Sequence, residues 1–482
     1  MHRLWARSSL TFALAVVGAV GLGGVVDTGA AQAAADPWQD EPIGWATANG
    51  GTTGGAGAAE DAVHVVDTRA ELVTALDNGG SPDEPKIIYV DGAIHGNETD
   101  DGELLDDQDY APGWDLDRYM ACFGPDGTEW SDDRHEWCEE QAALRVDGSG
   151  AQKQQIQLEV PSNTTLVGIG DDAQLLGVYL SVRLGQNIVV RNLELEAPTD
   201  HFPSWDPWDG DNGSWNARFD ALSIVTGSNI WIDHCTFTDG RFPNSEAPEG
   251  FHGEPVERHD GLLDIEDGTD YVTVSYSEFV DHAKTALIGS GDGQGDKDRG
   301  HLKVTLHHNL FDDSAQRSPR VRFGPVHSFN NYFTGSTDDP DYPMVSEELG
   351  GSDYFLGMGL ESMIVSEYNA FEYAGEGASA DIVLDNLNGH QFRDSGSWFN
   401  GDPVDVSAVA ERKFEAASAE AIAAAEQAGT EPPAWALEEF TTDVGWDPAA
   451  EYAYQPQTTS ADEVRDTVLA EAGAGVLPIT EP

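Results

Sequence analysis

Three aspartates and a small group of basic residues are the side chains whose types and spacing suggest chemistry. Asp220 opens the segment DALSIV, and Asp260 and Asp264 bracket the start of DGLLDI. Lys284 opens KTALIG, and Arg317, Arg320 and Arg322 fall in RSPRVRFG. Alternation along an extended chain puts Asp260, Leu262 and Asp264 on one face, and Leu263 and Ile265 on the other. Stacked as neighbouring strands about 4.8 Å apart, these segments would show an acid, an acid pair, a lysine and then arginines on one sheet. Three converging carboxylates require a cation, and oxygen donors without His or Cys favour calcium over zinc. In so acidic a chain three aspartates are ordinarily solvated surface, so the basic side is the more informative. Lys284, Arg317, Arg320 and Arg322 lie within 39 residues of a chain that has only 24 Lys and Arg. A cation beside a basic patch, in a protein that otherwise repels anions, suits a polyanionic chain.

The elements that would position these residues form a repeat. An eight-residue pattern recurs as IVVRNLEL from Ile188, IWIDHCTF from Ile230, VTVSYSEF from Val272, VTLHHNLF from Val304, VHSFNNYF from Val326 and IVSEYNAF from Ile364. Apolar residues at the first and eighth places, and mostly at the third, predict one strand per repeat. Starts separated by 42, 42, 32, 22 and 38 residues predict short coils with loops of variable length, each coil burying its apolar side on the next. The fold class is therefore all-β, a solenoid of parallel strands with loop and helical decorations. Asn309, Asn331 and Asn369 share the sixth place, the register of a side-chain amide ladder. The Gly-rich stretch from Gly50 to Gly55 reads as a linker or a cap. The Ala/Glu-rich stretch from about Val409 to Ala428 is helical in propensity and reads as a surface insertion. Asp233 and His234 are adjacent on a strand and face opposite ways, which favours a structural role over a catalytic pair.

Arg3 and Arg7 precede an apolar stretch from Leu10 to Val26 and an Ala-rich segment ending at Ala35. This predicts a secretory signal peptide over residues 1–35, a single domain with terminal caps over 36–482, and a secreted, extracellular product that leaves the membrane after processing. The formal net charge is −63. Nucleic acid is excluded as a partner, because counterion release requires a basic surface. Acids spread along the whole chain predict adaptation to high salt, where screening relieves self-repulsion. A melting temperature that does not rise in molar salt would overturn that expectation. Cys122 and Cys138 form a reasonable disulfide in an exported protein, and Cys235 reads as a buried thiol.

WNARFD, IWIDHCTFTDG, HDGLLDI, VTVSYSEFVDHAKTALIGSGD, VTLHHN and QRSPRVRFGPVHSFNNY resemble bacterial pectate lyases, in the same order and over nearly the whole mature chain. The resemblance implies a right-handed parallel β-helix with its cleft on the outside of one sheet. It implies Asp220, Asp260 and Asp264 as Ca2+ ligands, Lys284 and Arg322 as holders of substrate carboxylates, and Arg317 as the base. Arg320 has no clear role in it. The substrate would be polygalacturonate (pectate), cleaved by calcium-assisted β-elimination to 4,5-unsaturated products, with the enzyme a monomer. A pectin lyase acting on the methyl ester would have no use for the Asp260/Asp264 pair. A polygalacturonan hydrolase would need two carboxylates at hydrolytic separation, and a binding or adhesive β-helix would form no product.

Overall fold

Apolar residues repeated coil after coil must all face one axis, and that requirement generates three long sheets. In the computed structural model, which describes residues 41–209, 213–243, 246–253, 255–337, 354–375 and 377–482, each coil gives one strand to each sheet. Leu222–Val225, Ser228–Asp233 and Thr236–Thr238 form one coil, lying in what are here sheets 1, 2 and 3. Leu263–Glu266, Asp270–Ser275 and Glu278–Lys284 form the next. Ala286–Ile288, Val304–His307 and Leu310–Gln316 follow, and then Arg320–Val321, Pro325–Phe329 and Tyr332–Ser336. Neighbouring coils pair in parallel register, such as Leu222 with Leu263 and Leu263 with Ala286. Parallel crossovers of this kind are right-handed, and the molecule is a right-handed parallel β-helix. The signal-peptide expectation for residues 1–35 lies outside the described residues. No described helix is long and apolar enough to cross a membrane.

The eight-residue repeat is not one strand. Its first four residues lie in sheet 2, and the chain then turns and enters sheet 3. The fifth residue makes the corner in the left-handed region: Asn192, His234, Tyr276, His308, Asn330 and Tyr368 have φ of 54, 49, 45, 55, 52 and 50°. Burial continues across the corner, so the hydrophobic pattern alone cannot show it. The corner also corrects the expectation for Asp233 and His234. Their side chains do meet, His234 Nδ1 lying 2.7 Å from Asp233 Oδ2. The role is nonetheless structural, because Asp233 also pairs with Arg191 at 2.8 Å and accepts from Ser275 Oγ at 2.6 Å.

The sixth place carries the amide ladder. Asn309 Nδ2 donates to Asn331 Oδ1 at 3.0 Å, and Asn331 Nδ2 to Asn369 Oδ1 at 3.3 Å. The same oxygens accept the backbone N–H of Asn309 and Asn331 at 2.9 and 2.8 Å. All three residues are fully buried. At the eighth place Phe237, Phe279, Phe311, Phe333 and Phe371 stack with centroids 4.9, 5.0, 4.9 and 4.6 Å apart. Asn331→Ala strands the Asn309 backbone donor in a dry core. It is expected to cost about 3 kcal/mol, read as a lowered denaturant midpoint with unchanged slope.

The ends and outer faces are closed by segments whose roles differ from the expectation. The helix Val406–Ala428 is capped by Asp405 and Gly429, and it buries Val406, Ala410 and Phe414 in the same core as the coils. It therefore seals the final turns and is no surface insertion. The segment from Trp45 through the Gly-rich stretch runs across the outside of sheet 2, where the Trp45, Ala46 and Gly55 N–H groups donate to Thr305, Thr273 and Thr165 hydroxyls at 3.1, 3.1 and 2.9 Å. Its glycine content permits that close approach. Cys122 and Cys138 are joined, and Cys235 is buried and free.

Candidate active site

Sheet 1 presents its outward side chains in line: Ser223 lies in register with Asp264, Asp264 with Leu287, and Leu287 with Arg320. Inward-facing Leu222, Ile224, Leu263 and Ile265 lock that register into the core. Leu262 departs from the alternation expected for it. It is buried in the same core because it precedes the strand, where the chain is still turning, so Asp260 approaches from a loop.

Asp220 is buried at the entrance to its strand. Its Oδ1 accepts the Gly261 N–H at 2.9 Å, and its other oxygen accepts the Ser223 hydroxyl. Asp264 Oδ1 is buried without a hydrogen-bond partner among the described residues. A Cβ on Gly261 would come within 2.5 Å of Asp264 Oδ1 and 3.1 Å of Asp220 Oδ1. The absence of a side chain there keeps the space between the two carboxylates clear. Burial, and then the neighbouring Asp260, push Asp220 up to about 7. Burial, Asp220 and Asp260 hold Asp264 well above the carboxylate range, with Arg317 pulling the other way. Glu266, two residues further along the strand, is also raised, first by burial and then by Asp267.

Lys284 and Arg317 approach from the corners, whereas Arg320 stands in a sheet 1 strand. Lys284 ends the sheet 3 strand Glu278–Lys284, which corrects its expected place at the head of a sheet 1 strand. Its ammonium is paired with Glu257 and lies 3.9 Å from Asp260 Oδ1. Burial pulls the lysine down, but Glu257 and Asp260 outweigh it and raise its pKa. Sequence reasoning missed Glu257, which sits in an aperiodic loop. Its other oxygen accepts the Ala217 N–H at 2.8 Å. The only signal available was the need of a partly buried lysine for a counter-ion.

Arg317 occupies the turn into sheet 1 at φ 62°, and its Nε is buried with no partner among the described residues. Its charge acts on Lys284 and Arg320 as well as on Asp264, so it stands between the cationic and anionic halves of the site. Arg320 Nε is likewise buried and unpartnered. Burial, and then Arg322, lower the pKa of Arg320. Arg322 is held by Asp292 Oδ1 at 2.7 Å and the Gly289 carbonyl at 2.8 Å. The structure thus brings Asp220, Asp264 and Arg317 together and sets Asp260 against Lys284, while Arg322 is engaged on Asp292.

Among the described residues no three His, Cys, Asp or Glu side chains form a finished metal cage. The parts nonetheless fit a hard cation: an orphaned buried carboxylate oxygen, a second carboxylate across a side-chain-free gap, and an all-oxygen donor set. Trp205 and Trp215 pack a separate cluster, whereas Trp208 is 82% exposed.

The family model described as pectate lyase matches residues 140–477. The chain is 38% identical over 367 residues to a pectate lyase of Bacillus subtilis (strain 168), covering 76% of this chain and 83% of that one. It is 36% identical to pectate lyase E of Dickeya chrysanthemi over 74% of this chain and 75% of the relative. A solved pectate lyase bound to hexasaccharide superposes with a TM-score of 0.78 at 33% identity, covering 92% of this chain and all of that one. A β-helix with this charged cleft and these relatives is an enzyme, a polysaccharide lyase. The chain belongs to the pectate lyase family.

Proposed function

We propose that the enzyme cleaves polygalacturonate by calcium-assisted β-elimination, releasing 4,5-unsaturated oligogalacturonates outside the cell after residues 1–35 are removed, and that it acts as a monomer formed by residues 36–482. The observation that carries this reading is the pair Asp220 and Asp264, set on either side of Gly261 with Arg317 acting on Asp264. Asp220, Asp264 and Asp260 would hold the cation, with Asp260 turning from Lys284. When bound, calcium supplies positive charge to the uronate carboxylate and so acidifies the adjacent C5 proton.

The remaining steps belong to side chains. Lys284 gives up Glu257 for a substrate carboxylate, and Arg322, held by Asp292, offers its remaining donors to a second. Arg317 takes the C5 proton. The electron pair of that C–H bond becomes the C4–C5 double bond, the C4–O bond breaks, and the departing oxygen takes a proton from solvent. An arginine serves as a base only when its cationic form is disfavoured. Fixed charge already in place stabilises the developing carbanion without reorganisation.

Product chemistry tests this directly. Digests of polygalacturonate should contain unsaturated chain ends in a one-to-one ratio with new reducing ends, and methyl-esterified pectin should react far more slowly. Saturated ends would mean hydrolysis and overturn the proposal.

A further inference from the structure

Beside Asp260 lies a cavity of about 430 Å³, with Arg145, Arg218, Ser149 and Asp200 in its lining. Its volume lies in the range of sites that hold small ligands, roughly 300–1,000 Å³. Arg145 projects from the helix Cys138–Ile156, and Arg218 from the segment between the strand Ser214–Asn216 and Asp220. Two elements far apart in sequence thus bring two guanidiniums to one cavity.

The charge balance makes this arrangement informative. With 87 acids for 24 bases, arginines readily find carboxylates: Arg241 holds Glu196, Arg299 holds Glu361, and Arg465 holds Asp462. Among the described residues Arg145 donates only to the Phe202 carbonyl at 3.3 Å, and Arg218 to the Ser149 hydroxyl at 2.9 Å. Neither forms an ion pair among the described residues. Asp200, the acid they share, is buried and engaged with the Phe202 N–H at 2.8 Å. Burial pushes it up to about 6 against the pull of that N–H and of both arginines. The guanidiniums therefore retain donors for an anion entering from solvent.

We infer that Arg145 and Arg218 form a carboxylate-reading subsite, which takes a uronate unit of the polymer next to the units held at Asp260 and Lys284. The inference rests on the lyase reading and extends it, because Asp260 belongs both to this cavity and to the cation site, so a chain crossing the cleft enters the cavity. Planar guanidiniums grip carboxylates in paired hydrogen bonds. A neutral ester offers no matching charge.

The test compares the natural protein with Arg145→Gln/Arg218→Gln and Arg145→Lys/Arg218→Lys, using hexagalacturonate and its methyl ester. Turnover by the double Gln variant should show KM for hexagalacturonate raised about tenfold, with kcat changed less than threefold. In an Arg317→Ala background with calcium, calorimetry should show its Kd weakened to the same extent, partial recovery with lysine, and no change for the methyl ester. Unsaturated product from the natural protein together with unchanged KM and Kd in the Gln variant would overturn the subsite alone. Equal weakening toward acid and ester would also overturn it, showing that the arginines only hold the fold. No unsaturated product from the natural protein would instead remove the reading on which the subsite rests.

Discussion

Arg317→Ala is expected to lower the rate of unsaturated-product formation by about 10³-fold or more, a loss of about 4 kcal/mol of transition-state stabilisation. Calcium binding and the melting temperature should stay close to those of the natural protein. Among the described residues the side chain makes no ion pair and its Nε has no partner, so its removal breaks no described pair. Its left-handed backbone turn is equally accessible to alanine and arginine. A loss confined to kcat separates a group that acts on the reacting proton from one that merely binds. Arg320→Ala provides the contrast. Both have a buried Nε without a partner among the described residues, but Arg320 stands in the sheet, so its loss should show in stability more than in kcat.

Asp264→Asn is expected to abolish calcium-dependent activity, by about 10³-fold or more, and to remove the rise in melting temperature on adding calcium. Without calcium the same variant should be more stable than the natural protein at pH 8. Burial and Asp220 hold the Asp264 carboxyl well above its ordinary value of 3.8, so the folded state keeps a proton that the unfolded chain has lost. Stability attached to this group is intact below pH 4 and declines as pH rises through the raised value. The amide carries no such penalty. The advantage of Asp264→Asn in chelator should therefore vanish near pH 4 and open toward pH 8, as followed by thermal melting. An apo variant less stable at pH 8 than the natural protein would show that Asp264 is satisfied by contacts within the chain.

The sequence made the solenoid legible for a physical reason. Each coil repeats one packing problem, so the repeats from Ile188 to Ile364 and the ladder of Asn309, Asn331 and Asn369 appear as periodic signals. The corners were hidden because apolar burial runs through them, and this misplaced Lys284 and Leu262 and set Asp233 and His234 on opposite faces. Partnerships between loops were hidden as well. Glu257 against Lys284 and Asp292 against Arg322 join aperiodic segments to strands, and no local pattern encodes such contacts. Arg145 and Arg218 meet for the same reason, one on a helix and one in a loop.

The most direct test of the account follows ultraviolet absorbance of the unsaturated product from polygalacturonate, using the natural protein with added calcium and then with a chelator. The account predicts a steady rise with calcium, its disappearance on chelation, and its return when calcium is restored. Absorbance that persists at the same rate in chelator would contradict the role given to Asp220, Asp260 and Asp264.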